Sequence, residues 1–456
     1  MLLIQNGTLV TEQGILCADL AVADGKIAKI AAKIEASPQD EQLDATGLLV
    51  FPGFIDGHTH LDMDNGITVT ADNFATGTRA ALVGGTTTLV DFATQDRGDT
   101  LSHALSTWHQ KAEGQSSCHY AFHMAITDWN ARTKAELEPM FAAGVSSFKL
   151  YLAYDALRVS DESVFEVLTE MKRLGGVVGV HCENGDLVNA CVKREKALGH
   201  LSPAAHPVSR PPIVEAEAIN RLLAIAKLAD CTVHVVHLSS EEGLFEVRKA
   251  RARGQRVFVE TCPQYLLLND EHYLEPDFAS AKYVCSPPLR KANDQRALLG
   301  ALLGGEIDTI STDHCSYTLA QKALGKEDFS KIPNGLPGIE HRPQVIYAAY
   351  VDTGKLPVTT FCELLATNPA RQFGMYPQKG VLRVGSDADL VLWNPTAQTV
   401  IHANTQHQNT DYTPYEGMPI QGTPKYVLLD GKIAAKDGQV VLENAGRYIS
   451  RKPVAV

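Results

Sequence analysis

Residues 54–60 read Phe54-Ile55-Asp56-Gly57-His58-Thr59-His60. The apolar residues Leu48, Leu49, Val50, Phe51, Phe54 and Ile55 lead into the two histidines, so the stretch reads as a buried strand that delivers them to its C-terminal end. Side chains two residues apart on an extended segment point to the same side. Neutral imidazole is a good ligand for zinc and similar metals. Such a pair is equally at home as an ordinary packed pair, so its meaning depends on what the ends of later strands carry.

Working outward, eight apolar segments recur along the chain: 54–58, 86–92, 120–126, 146–152, 176–181, 232–237, 256–261 and 307–312. Amphipathic stretches separate most of them, among them DESVFEVLTEMKRLG (161–175) and EAEAINRLLAIAKLA (215–229). Alternation of strand and helix implies a parallel sheet. Eight units across residues 52–385 suggest a (β/α)8 TIM-like barrel, an α/β fold that carries its active site at the C-terminal strand ends. Periodicity does not show closure, so a doubly wound open sheet competes.

The two ends of the chain resemble each other. Residues 2–35 and 389–443 give short alternating segments, and each contains Asp-Gly-Lys-Ile between two strand-like runs, at 24–27 and 430–433. That is a hairpin signal. Residues 1–51 and 386–443 are therefore expected to form one small β-sandwich domain, with the barrel of residues 52–385 inserted between its halves. Residues 444–456 form a basic tail.

The net charge of -12 argues against nucleic acid or an anionic membrane surface as partner. The nine cysteines are scattered, with no CxxC pair, which fits reduced thiols in a cytoplasmic protein better than a disulfide framework. No signal peptide and no apolar run of membrane-spanning length, roughly 20 residues, is apparent.

The later strand segments give the first pair company. The fifth ends in His181, the sixth in His237 and the eighth in Asp313, and on a barrel these converge with His58 and His60 at one mouth. Four histidines and an aspartate at strand ends point to metal binding. Lys149 lies inside the otherwise apolar segment SSFKLYL. A buried ammonium is costly unless paired or neutralised, and it has no lone pair for a metal. A lysine deprotonated by burial can add carbon dioxide, giving a carbamate whose two oxygens can bridge two metals; a lysine paired with a carboxylate is the structural alternative. Two divalent ions bring about four positive charges, against about three negative ones from a carbamate, Asp313 and a hydroxide, which leaves the slight excess suited to polarising a carbonyl.

HTH after a strand, SFKLYLAY, VHCEN, VVHLSS, ETCPQYLLL, SPPLR, TDHC and NGLPG occur in this order. The set resembles the cyclic amidohydrolases of the amidohydrolase superfamily over almost the whole chain, most of all the dihydropyrimidinase and D-hydantoinase group. The resemblance implies two divalent metal ions, zinc by expectation. His58, His60 and Asp313 would hold one, His181 and His237 the other, and Lys149 as N6-carboxylysine would bridge both. It implies a bridging hydroxide that attacks a ring amide carbonyl, with Asp313 as general base and then acid. Tyr154 would donate to the developing oxyanion, and Ser286 and Asn334 would hold the rest of the cyclic imide, largely through backbone groups. The implied products are N-carbamoyl amino acids from dihydropyrimidines or 5-monosubstituted hydantoins. Allantoinases share the scaffold but differ around the strand-four lysine, and dihydroorotases typically place an arginine after the first histidine pair, where this chain reads LDMDNG. Some relatives keep the fold, lose the ligands and serve as binding or assembly proteins; here every ligand position is filled by a competent residue. His103, His119, His123, His314 and Cys315 read as structural, and Arg290 as paired with a carboxylate. A tail that reaches a neighbouring subunit would make the protein a homo-oligomer, a tetramer or dimer.

Overall fold

A computed structural model describes residues 1–454. Eight strands form a parallel sheet in sequence order: Phe54–Thr59, Thr86–Thr94, His119–Ala125, Ser147–Tyr151, Val177–His181, Val233–Val235, Val257–Thr261 and Thr309–Ile310. Each falls inside or overlaps one of the eight apolar segments. Strands buried on both faces must be apolar on both, and the fourth, SFKLY, is buried at every position, Lys149 included.

The sheet closes on itself, so the barrel and not the open sheet is the fold. The seam between the eighth and first strands is a short bridge from Thr59 to His314, with the His60 N–H donating to the His314 carbonyl at 2.8 Å. Polar side chains complete it. Asp56, fully buried, accepts from Thr312 N at 3.1 Å and Thr312 Oγ1 at 2.8 Å. Arg342, also fully buried, donates to the carbonyls of Ile55 at 2.8 Å and Ile310 at 2.9 Å. Backbone groups that a short eighth strand cannot pair are thereby satisfied, as burial requires.

The surrounding helices follow from local chemistry. Helix Asp161–Leu174 starts at Ser160, whose side chain accepts from Ser163 N; Asp161 and Glu162 sit in its first turn and Lys172 and Arg173 in its last. This charge order suits the helix dipole. Val164, Val167, Leu168 and Met171 make its buried stripe, and it stops at Gly175 in the left-handed region (φ 73°).

The two chain ends share one nine-stranded sheet. Strand Leu49–Pro52 joins them, pairing parallel with Leu2–Thr11 and antiparallel with Leu390–Val400. The sheet then curls over. Gly25, at a hairpin tip, accepts from Ala388 N, and Ile27 exchanges backbone hydrogen bonds with residues 385 and 386. The two halves enclose a core of Leu2, Ile4, Leu20, Val50, Leu390 and Leu392, among others.

The tail takes a course the sequence did not suggest. Through Val454 it lies on its own barrel: Tyr120 N donates to Arg447 O, Ile449 N to Tyr120 O, Arg451 N to Gly144 O and Val454 N to Gly175 O. These partners precede or open barrel strands, so the tail crosses the end of the barrel away from the histidines. Arg451 is buried there and donates to Ser147 Oγ at 2.6 Å. Ser147 in turn meets His123 Nδ1 at 2.6 Å, and His123 Nε2 donates to the Gly57 carbonyl at 3.0 Å. The described part of the tail thus packs against its own barrel; Ala455 and Val456 lie outside the described residues. All nine cysteines are free. Among the described residues no helix is long and apolar enough to cross a membrane.

Candidate metal centre and active site

His58, His60 and Asp313 converge at the mouth, each offering a ligand atom within 4.8 Å of the others. Strand one carries His58 near its end, and His60 follows just beyond it. Asp91 fixes the segment beyond it, accepting from Thr59 Oγ1 at 2.7 Å and Leu61 N at 3.0 Å. Nε2 of His58 and Nε2 of His60 each stand 3.2 Å from the same oxygen of Asp313. On the other side of its ring, His58 Nδ1 lies 2.7 Å from Glu260 Oε1, which also accepts the His237 N–H at 3.1 Å. Glu260 thus holds the His58 proton on Nδ1 and leaves Nε2 bare. A bare nitrogen facing a carboxylate oxygen is a contact between two acceptors, an arrangement a bound cation satisfies.

The electrostatics keep these groups ready as ligands. Burial, reinforced by the charge of Lys149, pushes the His58 imidazole well below its ordinary value, so it is neutral. Burial alone would raise Asp313, but the hydrogen bond from His60 and the charge of Lys149 oppose it, and the carboxyl lies below its ordinary value.

His181 and His237 make a second convergence. His181 Nδ1 lies 3.0 Å from His237 Nε2. Nε2 of His181 faces Glu183 at 2.9 Å, which places its proton there and leaves Nδ1 bare. Glu183 is buried, yet Arg210 and His181 hold it down at about 2. His237 Nδ1 is buried with no hydrogen-bond partner among the described residues. His237 (φ 38°), Asp313 (φ 51°) and Tyr154 (φ 66°) all adopt the left-handed backbone, a strained state that clusters at functional sites.

Lys149 lies between the two groups. It is 1% exposed, makes no ion pair among the described residues, and places Nζ 3.5 Å from His58 Nε2, with the rings of Phe92 and Tyr151 around it. Burial lowers its pKa to about 8, against the raising influence of Asp313 and Glu260.

Tyr154 stands against the second group, its ring 5.1 Å from that of His181 and 5.4 Å from the Arg210 guanidinium. Burial pushes its hydroxyl up to about 12. The Ser286 side chain lies beside Tyr154; its hydroxyl is buried and has no partner of normal geometry among the described residues. Asn334 is half-buried in a loop bonded to both the Ser286 segment and the segment after Asp313, through Gly335 N to Val284 O at 3.0 Å and Cys315 N to Leu336 O at 3.1 Å.

Glu260, Glu183 and Arg210 escaped the sequence reading. Glu260 carried a signal: it is a carboxylate in the apolar run VFVET, the same anomaly that drew attention to Lys149. Glu183 and Arg210 lie in loops and gave none. His314 is structural, with Nδ1 accepting from Gly338 N at 3.1 Å and Nε2 facing Asp72 at 3.1 Å. Arg290 lies 3.6 Å from Glu215. His119 groups with Asp389 and Asp430 at the junction of sheet and barrel, where Lys379 and Arg447 balance the acids.

The sequence pattern of the Amidohydrolase family matches residues 49–434. The D-hydantoinase of Ralstonia pickettii is 43% identical over 454 residues, 99% of each chain. That of Rhizobium radiobacter is 44% identical over 442 residues, 96% of each. A crystal structure of dihydropyrimidinase from Brevibacillus agri superposes with a TM-score of 0.98 at 43% identity, covering 100% of this chain and 99% of the other.

Proposed function

This chain belongs to the amidohydrolase family, and from that premise we propose that it opens the ring amide of 5-monosubstituted hydantoins or dihydropyrimidines to give N-carbamoyl amino acids. It is a hydrolase of cyclic amides of the hydantoinase type. The observation that carries the metal-dependent reading is the bare Nε2 of His58, buried 3.2 Å from an Asp313 oxygen.

His58, His60 and Asp313 would hold one divalent ion, His181 and His237 a second, and Lys149 as N6-carboxylysine would join the two; zinc suits these nitrogen and oxygen donors. An amine with a pKa of about 8 is partly unprotonated near neutral pH, the form that adds carbon dioxide. When bound, the ions supply Lewis acidity and a water of lowered pKa. Asp313 takes a proton from the attacking water and returns it to the leaving ring nitrogen, and its ionised state fits it for the first of these tasks. Tyr154 remains protonated to about pH 12 and donates to the oxygen on which negative charge develops. Backbone groups at Ser286 and Asn334 hold the rest of the imide, setting the carbonyl against the water.

Residues 1–51 with 386–443 form one domain in this reading and 52–385 another, with 444–456 as a tail. The protein is a cytoplasmic homo-oligomer, a tetramer or dimer. Ile213, Leu228 and Phe245, exposed on helices Pro212–Ala229 and Glu241–Ala252, support self-association.

A turnover panel tests the activity: hydantoin, phenylhydantoin, dihydrouracil, allantoin and dihydroorotate, with metal content measured on the same sample. Turnover of the first three with bound metal is expected. Allantoin or dihydroorotate as the sole substrate, or full activity without metal, would overturn the proposal. Light scattering checks the assembly, and a monomeric mass refutes it.

A further inference from the structure

Lys322 is 0% exposed and enters no ion pair among the described residues. Its ammonium donates three hydrogen bonds, to the carbonyls of Val284 at 2.8 Å, Pro333 at 2.7 Å and Gly335 at 2.8 Å. An ammonium has three N–H donors, so all are used and none is left for a substrate. Burial drives its pKa down to about 7. The carbonyls work the other way, because a neutral amine would turn a lone pair toward one of them.

An ammonium in a core without a counter-charge is costlier to bury than an apolar side chain of that length. Its acceptors show what the charge accomplishes. Val284 precedes Ser286 by two residues, and Pro333 and Gly335 flank Asn334. One nitrogen therefore fixes the spacing of two loops that are remote in sequence. Two further features tighten the junction. Gly335 (φ 150°) sits where an added Cβ would lie 2.2 Å from the Cys315 carbonyl, so the Asn334 loop packs directly on the chain after Asp313. The short helix that ends at Lys322, Leu319–Lys322, is closed by a capping box between Thr318 and Gln321.

We propose that Lys322 is a positioning residue that pins the Ser286 and Asn334 segments at the separation a planar cyclic imide needs. It acts through the two loops and does not touch the substrate. The inference rests on the reading of those loops as the holders of the imide, and the experiment separates the two claims.

Lys322→Met and Lys322→Gln are compared with the parent as metal-loaded enzymes on hydantoin, with amide hydrogen exchange followed over residues 284–288 and 332–337. In Lys322→Met, faster exchange in both segments is expected, with KM raised about tenfold or more, kcat changed less and metal content unchanged. Lys322→Gln keeps two N–H donors and no charge; it is expected to fall between and serves as the test if Lys322→Met does not fold. Unchanged exchange in both segments overturns the clamp. Faster exchange with unchanged KM overturns the role of Ser286 and Asn334 in holding the imide, and the proposal with it. A fall in bound metal in step with the rise in KM also overturns it, because the effect would then be general to the site.

Discussion

Glu260 accepts from Nδ1 of His58 at 2.7 Å, and the same oxygen takes the backbone N–H of His237 at 3.1 Å. One carboxylate on strand seven therefore orients a ring from one group of ligands and the backbone beneath a ring of the other. Partners of this kind are worth about 10–100-fold in metal affinity. Glu260→Ala is expected to weaken metal binding by about that factor, read by titration with a chelator. An affinity equal to the parent's would show that packing alone orients His58.

Lys149→Met removes both the amine and any carbamate. Turnover is expected to vanish and bound metal to fall, with circular dichroism unchanged. In the parent, the intact mass should exceed the sequence mass by one carbon dioxide and lose that increment on acidification. Parent-like activity in the variant would sink the bridging role.

Tyr154→Phe keeps the ring beside His181 and Arg210 and deletes one donor. A lost oxyanion donor costs about 2.7–4 kcal/mol, or about 10²–10³ in kcat. KM should move little and metal content not at all. A loss confined to KM would reassign Tyr154 to ground-state binding.

His206 and His234 each contribute a pH dependence of definite sign. Burial lowers both, helped by Arg210 at His206 and opposed by Glu260 at His234, to about 3 and about 4. In the unfolded chain each returns to about 6.5, so below that pH the unfolded state binds more protons than the native one. Stability is therefore present above about pH 6.5 and is lost progressively toward about pH 4, where His234 begins to charge in place. The melting temperature of the metal-free protein should fall between about pH 7.5 and about pH 5, and less steeply in His206→Gln. A melting temperature that rises over this range would contradict the assignment.

The barrel was legible because each strand is buried on both faces, which forces an apolar run that few other structures require. His58, His60, His181, His237 and Asp313 stood out because polar residues closing such runs are conspicuous. The seam was not legible: strand eight is only Thr309–Ile310, and Asp56 and Arg342, which complete it, look like ordinary charges in the sequence. Lys322 lies in the polar-looking stretch AQKALGK, and nothing local marks it as buried. The packing of the tail on its own barrel was not legible for a similar reason. Its arginines suggest an exposed arm, whereas Arg451 is enclosed by Ser147 and the Phe122 carbonyl, partners contributed by the fold more than 300 positions away.

Strand Leu49–Pro52 needs Leu390–Val400 as its neighbour, and the underside of the barrel is covered by residues that follow all eight strands. On a ribosome adding about 5–20 residues per second, the first half of the sheet waits tens of seconds with a bare edge, and the barrel is covered only when residues 447–454 emerge. A nascent chain of this topology cannot complete the sheet around Leu49–Pro52 until Leu390–Val400 has been made.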